Sequence, residues 1–156
     1  MIRLVPVTPD RRGLLYNLNQ KYLYEMTNYY PDPLDGEGNL HYGHFDEYFT
    51  DPKREALFLY DDDALVGFAM VNPYSNFGGE TGHVMAEFTV FPMYRRRGLA
   101  TRAAEAIFQG RKGRWEVKFN EQNAAARALW TRATARYRPE ARRLSEDETV
   151  LCFEVK

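Results

Sequence analysis

The sequence predicts an α/β fold contained in one domain. Two apolar runs within residues 56–71 flank an acidic turn, which is typical of an antiparallel hairpin. The second half of the chain follows the order strand, helix, strand. Its 156 residues and 44% hydrophobic composition suit a single domain with a buried core. We therefore treat residues 1–156 as one folding unit.

The N-terminal segment predicts a short strand and then a helix. Residues 2–5 form the strand candidate. Thr8 is a typical N-cap residue, and Pro9 suits the first helical position. The helix should run to about Met26, because apolar side chains recur on one face. These side chains are Leu14, Leu15, Leu18, Tyr22 and Met26.

Regular structure should stop after this helix and resume with a hairpin. Prolines and glycines interrupt residues 31–38, and residues 40–49 are a candidate second helix. Residues 56–60 and 65–71 form the two hairpin strands. Residues 72–82 contain one proline and three glycines and predict a loop.

Four further elements complete the predicted order. A strand over Val84 to Phe91 leads into a helix from Gly98 to about Gln109. A strand over Trp115 to Phe119 follows. Asn123 can cap a helix to about Thr134, and Thr149 to Val155 forms the last strand.

Composition narrows the functional classes. The formal net charge of -1 argues against a globally basic nucleic-acid binder. The single cysteine, Cys152, excludes an internal disulfide. No long apolar stretch follows Met1, so we expect no signal peptide, no membrane span and a cytoplasmic protein. His41 and His44 lack a second ligand pair at metal spacing, so we expect no metal.

A basic turn precedes the helix that begins near Gly98. Arg95, Arg96 and Arg97 come just before this glycine. Helix N-termini present unpaired N–H groups and partial positive charge, and arginines add charge-assisted contacts to anions. The segment therefore predicts a diphosphate site, although a solvated basic turn would have the same composition.

Two blocks of this sequence resemble motifs of the GNAT superfamily of acetyl-CoA-dependent N-acetyltransferases. Arg95-Arg96-Arg97-Gly98-Leu99-Ala100 resembles the R/Q-x-x-G-x-G/A signature, preceded by a similar strand and proline turn. The segment from Asn123 to Trp130 resembles the N-x-x-A-x-x-x-Y helix of the family. The likeness covers most of the chain, but residues 27–55 and 134–148 match only loosely.

The resemblance implies the GNAT fold. In that fold a central mixed, largely antiparallel sheet with flanking helices splays between two parallel strands, here Val84 to Phe91 and Trp115 to Phe119. Acetyl-CoA would lie in the gap as co-substrate. The residues implied to bind it are Val90, Arg95, Arg96, Arg97, Gly98, Leu99, Ala100, Thr101, Asn123 and Trp130.

Trp130 departs from the family pattern, in which a tyrosine protonates the leaving thiolate. Indole is a donor only, so Trp130 either hydrogen-bonds the sulfur or belongs to the core. A thiol with a pKa of about 8.5 can leave as the anion, assisted by backbone donors at a bulge near Val90. Tyr94 and Tyr137 are alternative acids.

Glu87 and Glu116 are the candidate catalytic bases. Each lies in one of the two central strands, where burial would raise the pKa of a carboxyl group. A glutamate at a position similar to that of Glu116 serves as base in some relatives. The alternatives are a buried hydrogen-bonded carboxylate for Glu87 and an exposed partner of Lys118 for Glu116.

The sequence thus predicts an enzyme that transfers acetyl from acetyl-CoA to a primary amine of a small molecule or peptide, by direct attack in a ternary complex. The acceptor would contact residues 20–49, where Tyr24 and Glu25 belong to an acidic and aromatic set. The alternative is a non-catalytic acyl-CoA-binding or protein-interaction module on the same scaffold. We expect no nucleic-acid or membrane partner, and a homodimer is possible.

Overall fold

The computed structural model describes residues 1–156, which form seven strands and three α-helices. The strands are β1 (Ile2–Pro6), β2 (Glu55–Asp61), β3 (Ala64–Tyr74), β4 (Glu80–Val90), β5 (Gly113–Asn120), β6 (Glu140–Arg143) and β7 (Glu148–Val155). The helices are α1 (Arg12–Met26), α2 (Leu99–Gln109) and α3 (Ala124–Thr134). They build one sheet with the strand order β1-β2-β3-β4-β5-β7-β6. Only β4 and β5 pair in parallel, so the predicted mixed, largely antiparallel sheet is confirmed.

The sheet separates two hydrophobic cores. On one face, α2 and α3 contribute Ile107 and Trp130 to the larger core. On the other face, α1 contributes Leu15 to the smaller core. Successive strand residues point to opposite faces, so Leu57 packs in the larger core and Phe58 in the smaller one. Helix α1 therefore lies on the opposite side of the sheet from α2 and α3.

The parallel strands β4 and β5 stay together over a short distance only. Residues 83–85 pair with residues 115–117. Beyond Met85 and Val117 the two strands form no further pairs, although both continue for several residues. The sheet therefore divides at this point, as the predicted splayed pair requires.

A β-bulge lies where the strands divide. Glu87 pairs with Met70 on β3, and Met85 pairs with Val71, so Ala86 is an extra residue on β4. A bulge breaks the alternation of side chains and bends the strand. Glu87 consequently lies on the α1 face with Met70, a residue of the smaller core.

The sequence-based expectation of a bulge near Val90 is wrong. Val90 continues a regular ladder and pairs with Gly67. A Cβ on Gly67 would overlap the carbonyl oxygen of Thr89, so the glycine permits a close approach of β3 and β4. Tight pairing here keeps the end of β4 regular, and the irregularity falls at Ala86.

The predicted helix over residues 40–49 is also wrong. Only Asp46–Phe49 form a short 3₁₀ helix. His44 has a φ of 67°, which no residue inside a right-handed helix adopts, and it follows Gly43. The chain is therefore irregular before Asp46.

The predicted loop over residues 72–82 is shorter than expected. Strand β3 extends to Tyr74 and β4 begins at Glu80, so only residues 75–79 form the connection. Pro73 lies at a register shift, where its missing N–H interrupts no regular ladder.

Two smaller differences concern the start of α1 and an additional strand, β6. A 3₁₀ turn, Pro9–Arg11, precedes α1, and the Thr8 side chain makes no capping hydrogen bond. Strand β6 was not predicted, because its four residues are exposed and mostly charged.

None of the helices combines the length and apolar character needed to cross a lipid bilayer.

Candidate active site

A cavity of about 340 Å³ opens where β4 and β5 separate. Because its lining residues come from helices on both faces of the sheet, the cavity passes between the strands. We call its two ends the α1 mouth and the α3 mouth. The α1 mouth is lined by Tyr22, Met26, Tyr30, Asp32, His41, Tyr42, Glu87 and Lys118. The α3 mouth is lined by Phe88, Asn123, Ala126 and Trp130.

The predicted anion turn connects β4 to α2, on the face that carries α3. Arg96 and Gly98 have φ values of 67° and 75°, and Gly98 is the N-cap residue of α2. No side chain caps this helix, so its first N–H groups are available to a ligand. A Cβ on Gly98 would meet no atom within 4 Å, which leaves open space beside these donors. With Arg96 and Arg97 exposed, the turn fits a diphosphate group.

Arg95 binds within the protein. Its Nε donates to the carbonyl oxygen of Val90 at 2.7 Å. Its two terminal nitrogens donate to the Glu25 carboxylate at 2.7 and 2.9 Å. These hydrogen bonds lower the pKa of Glu25. The pair joins the end of α1 to the start of the anion turn, and it brings together two residues that the sequence analysis placed in different sites.

Glu87 lies in the cavity wall at the α1 mouth. Burial raises the pKa of Glu87 to about 7, and this increase is limited by hydrogen bonding to Tyr42 and Tyr22 and by the charge of Lys118. Burial likewise raises the pKa of Tyr22 and Tyr42, so both remain neutral donors. A carboxyl group with a pKa near 7 can accept a proton at neutral pH.

Glu116 lies elsewhere. Its side chain is buried and is not part of the cavity lining. Ser75 donates its hydroxyl hydrogen to one carboxylate oxygen, and Asn76 donates both its backbone N–H and its side-chain amide to the other at 2.9 Å. The carboxylate thereby closes the turn between β3 and β4.

Lys118, Tyr30 and Glu148 form a network that the sequence analysis did not identify. Lys118 Nζ lies 3.2 Å from a Glu148 carboxylate oxygen, and the Tyr30 hydroxyl donates to the same oxygen at 2.9 Å. Burial alone would raise the pKa of Glu148, but these two partners lower it overall. The alternation of β5, with Val117 and Phe119 in the larger core, was the available signal that Lys118 faces the other side.

Asn123, Ala126 and Trp130 line the α3 mouth on successive turns of α3. The Asn123 side chain accepts a hydrogen bond from Ala126 N at 3.1 Å and caps the helix. Trp130 is buried and packs edge-on against Phe88, with 5.1 Å between the ring centroids. Its indole N–H donates to no protein acceptor, so both earlier interpretations of Trp130 fit its position.

Of the two candidate substrate residues, neither lines the cavity. Tyr24 is 66% exposed on α1, and Glu25 is bound to Arg95. His41 lines the α1 mouth, whereas His44 contacts Glu47. The structure contains no group of three or more His, Cys, Asp or Glu side chains arranged to hold a metal ion.

The sequence matches the model of one protein family. A model of the acetyltransferase (GNAT) family matches residues 15–134. A search of curated proteins finds no match.

Solved structures share the fold over almost the whole chain. The GNAT domain of S. lividans PAT has a TM-score of 0.70 and 15% identity, and the alignment covers 99% of this chain and 90% of that one. PaiA N-acetyltransferase from Thermoplasma acidophilum, in complex with coenzyme A, has a TM-score of 0.61, 10% identity and 99% coverage of both chains. Arabidopsis thaliana NAA60, in complex with acetyl-CoA, has a TM-score of 0.62 and 14% identity, with 99% and 98% coverage.

Proposed function

Because this chain belongs to the acetyltransferase (GNAT) family, we propose that it transfers acetyl from acetyl-CoA to a primary amine of a small molecule or peptide. The amine attacks directly in a ternary complex. The observation that carries this proposal is the cavity through the divided sheet, with a carboxyl group of pKa near 7 at one mouth. The anion turn lies on the face of the other mouth.

The donor binds on the α2 and α3 face. Acetyl-CoA, when bound, supplies an acyl group on a thioester. The N–H groups of Gly98 through Thr101 and the side chains of Arg96 and Arg97 hold its diphosphate. Arg95 supports this turn through its bonds to Val90 and Glu25. Coenzyme A and acetyl-CoA in the complexes of structurally similar proteins support this assignment of the ligand.

Backbone groups at the end of β4 near Val90, together with Asn123, would hold the pantetheine arm of the donor. The small side chain of Ala126 leaves room at the α3 mouth. The extra residue Ala86 leaves backbone groups outside the ladder, and such groups can stabilise developing negative charge on the acyl oxygen.

Glu87 acts as the base for the acceptor. An amine arrives as ammonium and must lose a proton before it attacks. Glu87 lies at the α1 mouth, and its pKa near 7 suits that transfer. The neighbouring Tyr22 and Tyr42 favour the ionised carboxylate and so limit the rise of its pKa. Glu116 is the second candidate base, but its three hydrogen bonds favour a structural role.

The leaving thiolate needs little assistance. The Trp130 indole N–H has no protein acceptor and can donate to the sulfur, but it cannot protonate it. An alkyl thiol with a pKa of about 8.5 leaves as the anion. The absence of a tyrosine at this position therefore remains compatible with turnover.

Calorimetry with acetyl-CoA, followed by an assay of free thiol release with a panel of primary amines, tests the proposal. We expect binding at micromolar concentrations and amine-dependent thiol release. Lack of acetyl-CoA binding at tens of micromolar would exclude this function.

A non-catalytic acyl-CoA-binding module is the second candidate, favoured by Trp130 in place of the family tyrosine. In that case the protein binds acetyl-CoA but releases no thiol with any amine of a broad panel. The same two measurements therefore decide between the candidates.

A further inference from the structure

The α1 mouth contains one lysine, and no arginine lines any part of the cavity. This lysine, Lys118, already has a partner, because its Nζ lies 3.2 Å from the Glu148 carboxylate. Its Nζ also lies 6.0 Å from the centroid of the Tyr30 ring. The exposed Lys118 is therefore already paired with Glu148 before an acceptor enters.

Two hydroxyl groups hold the Glu148 carboxylate in place beside Lys118. The Tyr30 hydroxyl donates to one of its oxygens and the Ser145 hydroxyl to the other, each at 2.9 Å. These bonds fix the carboxylate beside Lys118. An incoming anion would have to compete with a charged partner that three protein groups contact.

Besides Lys118, the ionisable residues of this mouth other than its tyrosines are His41, which is uncharged in its neutral form, and two acids. Glu87 lies in the cavity wall and Asp32 is exposed at the rim. A carboxylate on the carbon that bears the acceptor amine would be brought close to Glu87, and the one lysine of the mouth is already paired with Glu148. Both the burial of an unpaired charge and the repulsion between like charges oppose that arrangement. A hydrogen or a neutral amide on that carbon avoids both costs.

We propose that the acceptor carries no carboxylate beside its amine, so that simple amines, amino-acid amides and peptide N-termini are acetylated and free amino acids are rejected. This inference rests on the proposed function and adds the substrate class. Tyr22, Tyr30 and Tyr42 provide ring faces for the cationic head and the apolar body of such an acceptor.

Phenethylamine and phenylalanine provide the direct test, since they differ only in the carboxylate and have similar basicity. We expect kcat/KM for phenethylamine to exceed that for phenylalanine by about tenfold or more. Equal or better turnover of phenylalanine would overturn the inference and leave the proposed function intact. Absence of turnover with every amine would overturn both.

Substitution of Glu148 tests the cause of the selectivity. E148Q releases Lys118 from its charged partner, so we expect kcat/KM for phenylalanine to rise several-fold. The selectivity ratio, which is kcat/KM for phenethylamine divided by kcat/KM for phenylalanine, should then decrease. The matched control is E154Q, because Glu154 is an exposed glutamate on the same strand, and its ratio should equal that of the wild type. An unchanged ratio in folded E148Q would contradict the proposed role of the pair.

Lys118→Met provides a second variant that does not depend on the stability of E148Q. Removal of the ammonium leaves Glu148 without a cation, so the mouth becomes more negative and the ratio should widen. A ratio that narrows in this variant would also overturn the inference.

Discussion

At the residue scale, Glu87 is the cavity carboxyl group whose pKa burial raises to about 7. If it is the base, kcat/KM of the wild-type enzyme should increase with pH with a midpoint near 7. Glu87→Gln should lower kcat by about 100-fold or more and remove that midpoint, because an amide cannot accept the proton. Acetyl-CoA affinity, measured by calorimetry, should stay unchanged. Retention of the same midpoint in the variant would show that another group titrates.

Glu116 should respond differently to the same change. Glu116→Gln replaces a buried carboxylate that accepts three hydrogen bonds, so we expect a loss of about 1–3 kcal/mol in the free energy of unfolding. Turnover per folded molecule should equal that of the wild type. A 100-fold slower turnover of fully folded variant would instead identify Glu116 as the base.

The positions of these two carboxylates illustrate the limits of sequence analysis for single residues. Both were predicted to lie in central strands, and both do. Simple alternation from Met85 would place Glu87 in the larger core, and only the extra residue Ala86 turns it to the α1 mouth. The contact between Glu25 and Arg95 joins positions far apart in sequence and depends on the packing of α1.

At the element scale, the turn before α2 depends on the backbone of Gly98. Its φ of 75° costs a residue with a Cβ about 1–2 kcal/mol. Gly98→Ala should therefore distort the anion turn and weaken acetyl-CoA binding by about tenfold.

Gly110, at the other end of α2, provides the matched control. Its φ is -82°, and a Cβ there would make ordinary contacts. Gly110→Ala should bind acetyl-CoA with wild-type affinity. Equal affinities of the two variants in calorimetry would argue against a diphosphate at the turn.

The elements that were predicted are those with strong local signals. The hairpin strands were predicted from their apolar runs. The helices after Gly98 and Asn123 were predicted from apolar periodicity and from the residues that begin them, and the structure contains both helices. Residues 40–49 contain few strong helix formers and include Gly43, and the left-handed conformation of His44 is incompatible with a helix through this position. Strand β6 exists because it pairs with β7, and no periodicity of its own marks it.

At the scale of the whole molecule, the partly buried Glu87 should make stability depend on pH. Its pKa is raised from 4.5 to about 7 on folding, so the folded protein retains the proton while the unfolded chain loses it. The stabilisation is fully present below pH 4.5 and is lost as pH rises through 7.

Denaturant unfolding of the wild-type protein and Glu87→Gln measures this effect, because the other carboxylates cancel in the difference. Relative to the variant, the wild-type protein should lose at most about 3 kcal/mol between pH 4.5 and pH 8. A difference that is constant over this range would show that Glu87 titrates normally in the folded state.

The mixed sheet of the whole molecule was predicted from the resemblance to a family, because apolar runs in a sequence do not show which strands pair in parallel. The cavity was not predictable in the same way. The volume of the cavity depends on how α1 and residues 40–43 pack over the divided strands. These contacts join residues that are far apart in the sequence.

The divided sheet also has an evolutionary consequence. Under the proposed function, the donor contacts β4, the anion turn and α3, whereas the acceptor contacts mainly α1 and the irregular segment that follows it. The strands between them act as a partition, so mutations on the acceptor face can accumulate without disturbing the donor face. Under the proposed function, one scaffold can therefore acquire a new acceptor by changes on one face alone.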